Sequence, residues 1–225
     1  AESLDRLKKY LNGKLPVNIF TDEYEDRGSK ILERIKKDEY LSKMLNGPYV
    51  IGVIPQLSKQ VVDNYGEVLE DIFLPAVQKA HDDIFAPKRA FKNYRAGELS
   101  NQVTVAENTR HDLLLQKAVE GNVVFVQCIQ PLQGYSIRAQ REVISLFPDW
   151  IALGGAIDMS CSLIQFIFEL ARDTKTPMYD CSALQWQSSD YSLYWNVNGD
   201  EFWFGSQSIL EYASGDYSGS LVCFG

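Results

Sequence analysis

The sequence predicts an α+β fold in which a helical N-terminal portion packs on a C-terminal, mainly antiparallel sheet. Three observations carry that expectation. Apolar residues recur at helical spacing through the first half of the chain. VVFVQCI, residues 123–129, reads as a buried strand, and from Met178 onward the composition turns to strand chemistry with Gly, Ser and Asp at the bends. With 225 residues, 45% hydrophobic and 12% aromatic, the chain can bury one sizeable core. Residues 1–225 therefore read as a single globular domain, in which residues 1–47 could form a helical subdomain.

Taken in order, Ser3 can cap a first helix whose Leu4, Leu7 and Leu11 share one face and which Gly13 stops. A second helix is expected from about Ser29 to Leu45, with Ile31, Leu32, Ile35, Leu41, Met44 and Leu45 inward, ended by Gly47-Pro48. YVIGVI, 49–54, lies between prolines and reads as a strand. Ser58 then opens a long helical region through Val61, Tyr65, Leu69 and Phe73 to Val77, His81 and Ile84. Pro75 should break or kink it, because proline lacks an amide donor and clashes with the preceding turn. Residues 86–105 are poorly periodic. Thr109 with Asp112 resembles a capping box for a helix that Gly121 closes. Ser136 caps a helix reaching Phe147, and a nearly all-apolar helix follows from about Met159 to Ala171. Its CSLIQFIFEL leaves so little polar face that protein must surround it.

The most informative stretch is YSLYWNVNGDEFWFGSQS, residues 191–208. Asn198-Gly199 is a favoured pair for a two-residue type I′ turn. A turn there pairs Val197 with Asp200, Trp195 with Phe202, Leu193 with Phe204 and Tyr191 with Ser206 on one face. Asn196 then opposes Glu201, Tyr194 opposes Trp203, and Ser192 opposes Gly205 on the other. The first face is apolar and belongs to the core; the second is mixed. Tyr194 and Trp203 could stack on a sugar, a base or a peptide aromatic, with Asn196 and Glu201 supplying hydrogen bonds. The plainer expectation is that a helix or loop covers them as a second small core.

Composition excludes several classes. Lys and Arg total 22 against 30 Asp and Glu, giving a net charge of −8, so a general nucleic-acid binder or a protein docked on anionic membrane is not expected. No apolar run approaches the roughly 18–20 residues of a membrane span, and no signal-peptide pattern opens the sequence. Cys128, Cys161, Cys181 and Cys223 lack any C-x-x-C pair, so they carry no zinc or redox signature. They read as buried free thiols, which suits a reducing cytoplasm. Neither metal nor cofactor is expected.

Two further groups of residues are candidates for chemistry. Lys88, Arg89, Lys92 and Arg95, interleaved with Phe91 and Tyr94, could bind an anion or form a solvated face. Gly154-Gly155 precedes a helix and could hold a small anion, or simply pack tightly. Asp22, Glu23, Glu25 and Asp26 do not match the calcium-loop spacing and read as acids near a helix N-terminus.

YDCSALQW, residues 179–186, resembles the D-C-S segment around the nucleophile of NlpC/P60-like cysteine peptidases. That resemblance implies a cysteine at a helix N-terminus, activated by the helix end and a histidine. No histidine follows Cys181, so the pair would be Cys181 or Cys161 with upstream His81 or His111, the only two histidines. Separately, the order of strand, Ser-capped helix, apolar helix, strand and Trp-rich hairpin resembles an uncharacterised bacterial domain family whose C-terminal hairpin ends in W-x-G-x-x-S. Trp195, Trp203, Gly205, Ser206 and Ser208 carry it. The resemblance implies a fold and no catalytic residue. The leading expectation is thus a non-enzymatic module for a protein or small-molecule ligand, and the competing one a cysteine-dependent hydrolase.

Overall fold

The computed structural model describes residues 2–172, 178–208 and 210–225. Its helices are α1 (Glu2–Leu11), α2 (Thr21–Lys36), α3 (Gln60–Asp63), α4 (Tyr65–Val68), α5 (Leu74–Phe85), α6 (His111–Glu120), α7 (Ile137–Val143) and α8 (Ala156–Leu170). The strands are β1 (Tyr49–Ile54), β2 (Ala90–Asn93), β3 (Val103–Val105), β4 (Val123–Gln133), β5 (Ile151–Leu153), β6 (Met178–Cys181), β7 (Leu184–Trp186), β8 (Ser192–Asn198), β9 (Glu201–Gln207) and β10 (Tyr217–Phe224). The main sheet runs β1-β4-β10-β6-β8-β9-β2, with β5 also on β10; β3 and β7 form a separate pair. Among the described residues, the β10–β6 and β9–β2 pairings of the main sheet are parallel and the others antiparallel. The fold is α+β.

β4 is an interior strand, as its mostly apolar run requires: β1 and β10 pair with it on either side, and it is buried from Val123 through Ile129. Where β4 reaches Pro131 it loses an amide donor. Opposite that point β10 slips register between Gly219 and Leu221, so the bulge falls where the ladder could not close. α1, α5 and α8 pack on one another, with α8 against β1. α2 lies against β4. One hydrophobic core extends from Leu4 to Phe224.

α8 meets its expectation: from Ala156 to Gln165 every residue is buried. Several local expectations are corrected. The second helix begins at Thr21, not near Ser29, and ends at Lys36; a 3₁₀ turn over Leu41–Asn46 follows. Gly28 does not interrupt it. A Cβ there would lie 2.7 Å from Ile51 Cγ2, so the glycine lets helix and strand approach. Asp22 and Glu23 occupy the first turn, where the helix dipole favours acids.

Ser58 does not cap the long helical region. Asn64 does, accepting the Glu67 amide at 3.2 Å at the start of α4. Pro75 does not break it: α4 runs through a π turn (Leu69–Phe73) into α5, and Pro75 falls in the first turn of α5. Thr109 is no cap either, since its hydroxyl donates to Ala106 O at 2.8 Å. Arg110 is left-handed at φ 60° and donates to the carbonyls of Phe147 and Pro148, which sets the start of α6. Ser136 does cap α7, accepting the Ala139 amide at 3.2 Å.

Candidate functional site

The hairpin forms, with its turn one residue further on than expected. Asn198 pairs with Glu201, Val197 with Phe202, Asn196 with Trp203, Trp195 with Phe204 and Tyr194 with Gly205. Gly199 takes φ 56° as the first loop residue, where a type II′ turn wants glycine. The expected I′ turn at Asn198-Gly199 and its pair list are therefore corrected. Moving the turn by one residue shifts the pairing by two, so each side chain keeps its face.

The inner face is core. Leu193, Trp195, Val197, Phe202 and Phe204 are buried, and Trp195 lies 4.7 Å from Phe204 and 5.4 Å from Phe202 between ring centroids. Phe91 of β2 and His81 of α5 join this aromatic cluster. Burial lowers the His81 pKa, and its Nε2 has no partner. It is a histidine of the core.

On the outer face Tyr194, Asn196, Glu201 and Trp203 are half-buried and Lys92 is exposed. Trp203 Nε1 donates to Tyr194 OH at 3.3 Å, and Tyr94 meets the Trp203 ring edge-on at 6.3 Å. Glu201 is engaged by Lys92 and by Tyr94 OH. Trp203 thus keeps part of its surface in water, flanked by tyrosines.

A cleft of about 620 Å³ opens at the far end of the hairpin, where β8 begins and β9 ends. Arg95, Trp186, Gln187, Tyr191, Ser206, Gln207, Ser208, Tyr212 and Tyr217 line it. The Trp186–Tyr191 rings stand at 82° and the Tyr212–Tyr217 rings at 87°. The Arg95 guanidinium lies 4.6 Å over Trp186 and pairs with Glu98 at 3.1 Å. Tyr94 and Arg95, adjacent in sequence, contact Trp203 and the buried Trp186 respectively.

Behind Gln207 lies Asp180, which accepts from Gln207 Nε2 at 2.6 Å and from Gln140 Nε2 at 3.2 Å. Burial pushes its pKa up to about 7. The folded protein therefore holds this proton more tightly than the unfolded chain. Its stabilising contribution is complete below about pH 4 and is lost as pH rises through 7. Asp180→Asn should gain on the wild type by about 2 kcal/mol between pH 5 and pH 7, since each pH unit in that window is worth about 1.4 kcal/mol. Urea denaturation of both proteins at the two values checks this; a constant difference would contradict it.

Three of the four basic candidates have separate partners. Arg89 donates to the carbonyls of Ala171 and Arg172 at the end of α8, Lys92 serves Glu201, and Arg95 serves the cleft. Lys88 is exposed.

The cysteine candidates sit in closed surroundings. Cys161 lies inside α8, well past its start at Ala156, and Cys181 lies in β6, so neither occupies a helix N-terminus. Both thiols are buried and burial pushes them well up, the reverse of what a thiolate nucleophile needs. Fully buried His111 donates no hydrogen bond to sulfur; its Nδ1 lies 3.2 Å from Leu153 O, and burial lowers its pKa to about 4.

His111 belongs instead to a sealed polar cluster that fixes the start of α8. Asp158 accepts from the Gly155 amide at 2.8 Å and from Gln127 at 2.9 Å; Gln127 also bonds Ser220, and Ser162 bonds Gln127. Tyr65 OH accepts the Ile157 amide at 2.8 Å. Cβ atoms on Gly154 and Gly155 would fall 2.0 Å from Ser220 Oγ and 2.6 Å from the His111 ring. The Gly-Gly pair is thus explained by packing, and the Asp158 carboxyl, which burial pushes up to about 8, already takes the Gly155 amide at the start of α8.

Asp180, Trp186, Gln207, Tyr212 and Tyr217 were not singled out by sequence. They come from separate segments, and only the strand order brings them together. Family models, curated proteins and solved structures were compared with the chain, and none of the three comparisons finds a match.

Proposed function

We propose that this chain is a small-ligand-binding module whose ligand seat is the cleft at the open end of the β8–β9 hairpin, extended along the outer face by Tyr194 and Trp203. One observation carries the reading. The rings of Tyr191 and Tyr212, which are exposed, and of Tyr217 and Trp186 converge there with polar side chains around a concave space of small-ligand size, at the ends of strands packed on the aromatic core. Asn196 and Glu201 border this surface without entering the cleft.

Ligand-observed NMR with a library of sugars, nucleosides and aromatic amino acids tests this. Bound compounds should lose their signal with the Tyr191→Ala/Tyr212→Ala double variant, whose side chains are 38% and 57% exposed and carry little of the fold. Binding that survives the double variant, or a library without hits, contradicts it.

A further inference from the structure

We propose that the cleft takes a neutral sugar ring, a hexose unit of a neutral saccharide, against its aromatic walls. The inference rests on the cleft being the ligand seat and adds the class of ligand.

The lining is unusual in kind. Among the described residues, four aromatic and five polar side chains form it, and none of these is aliphatic. An apolar ligand would be matched by Leu, Ile, Val or Met walls, which most ligand pockets carry. A pyranose ring presents the opposite demand. Its C–H face, weakly positive, suits the negative face of an aromatic ring. Its rim of hydroxyls needs donors and acceptors in alternation.

The polar groups supply both. Gln207 gives its Nε2 to Asp180, which leaves its Oε1 to accept from a sugar hydroxyl. The Arg95 side chain is 30% exposed, and its guanidinium has donors beyond the one given to Glu98. The hydroxyls of Ser206 and Ser208 can do either.

Charge and wall geometry argue against the rival ring ligands. A nucleotide or an acidic sugar needs an uncompensated cation. Arg95 is already paired with Glu98 at 3.1 Å and stacked on Trp186, and the chain's net charge is −8. A free base stacks best between parallel faces. Here each aromatic pair meets edge to face, at 82° and 87°.

The test is calorimetric titration of the full chain with cellotetraose, maltotetraose, mannotetraose and chitotetraose, alongside AMP and tetragalacturonate. At least one neutral tetrasaccharide should bind, and Tyr212→Ala and Arg95→Gln should each weaken it about tenfold with unchanged melting temperature. Binding of AMP or tetragalacturonate in its place, abolished by Tyr212→Ala, overturns the neutral-sugar class and leaves the cleft as the seat. Saccharide binding that Tyr212→Ala does not weaken overturns the inference, because the sugar then sits elsewhere. No binding by any of the four neutral probes also overturns it.

Discussion

Replacing Trp195 by alanine should cost about 3–5 kcal/mol and leave the protein marginally folded or unfolded. Its ring is fully buried and touches Phe91, Phe202 and Phe204, with His81 stacked on Phe202 behind. Removing it empties a space bounded by stiff rings on two strands and a helix, and such walls collapse poorly into a cavity. Trp195→Phe separates packing from polarity. The Trp195 Nε1 donor is buried without a partner, so phenylalanine removes an unsatisfied group while losing part of the ring. It should cost only about 1–2 kcal/mol. Denaturant titration checks both; equal losses would mean the aromatic cluster does not hold this shape.

Gly66→Ala should be comparably damaging for a different reason. A Cβ at Gly66 would stand 1.8 Å from the Leu99 carbonyl oxygen, and that atom is backbone with no rotamer to escape into. Either α4 or the segment around Leu99 must shift. Leu99 is fully buried, and Asn64 beside Gly66 accepts the Asn101 amide at 2.8 Å, so displacement breaks further contacts. The expected loss is about 3 kcal/mol or more. Gly121→Ala is the control: Gly121 has extended backbone, and nothing lies within 4 Å of its added Cβ. It should melt with the wild type. A Gly66→Ala protein as stable as Gly121→Ala would contradict the close approach of α4 to this loop.

Elements with a strong local period were legible in the sequence. α1 and α8 follow from their apolar residues, β1 and β4 from short apolar runs, and the hairpin from strict alternation beside an Asn-Gly pair, because burial on one face or on all sides leaves its mark locally. The hairpin faces survived an error of one residue in the turn for a physical reason: a two-residue shift in pairing preserves the strand's alternation. β2 was illegible because its partner, β9, lies more than a hundred residues away and pairs in parallel, a relation no local pattern encodes. The starts of α2, α4 and α6 differ from expectation where tertiary contacts intervene: Gly28 serves the approach of Ile51 in mid-helix and marks no end, and the Phe147 and Pro148 carbonyls hold Arg110.

The candidate site was half legible. Tyr194 and Trp203 could be placed on the outer face from alternation. The cleft beside them could not, since Arg95, Trp186, Gln207 and Tyr217 meet only through the order β10-β6-β8-β9-β2 and the segments that flank it. The cysteine and histidine candidates illustrate the converse. A short motif around Cys181 suggested chemistry, but the strand it occupies is buried between neighbours.

The four tryptophans give the account its most direct measurement. With fluorotryptophan incorporated throughout, Trp150, Trp186, Trp195 and Trp203 each report a separate place by fluorine NMR. On addition of cellotetraose, AMP and tryptophan amide in turn, a binding probe should move the Trp186 resonance, with Trp203 following as the ligand extends along the outer face. Trp195, in the core, and Trp150, beside Arg34 on another part of the surface, should stay in place. A probe that moves Trp150 while leaving Trp186 unchanged would put the ligand seat elsewhere and contradict the account.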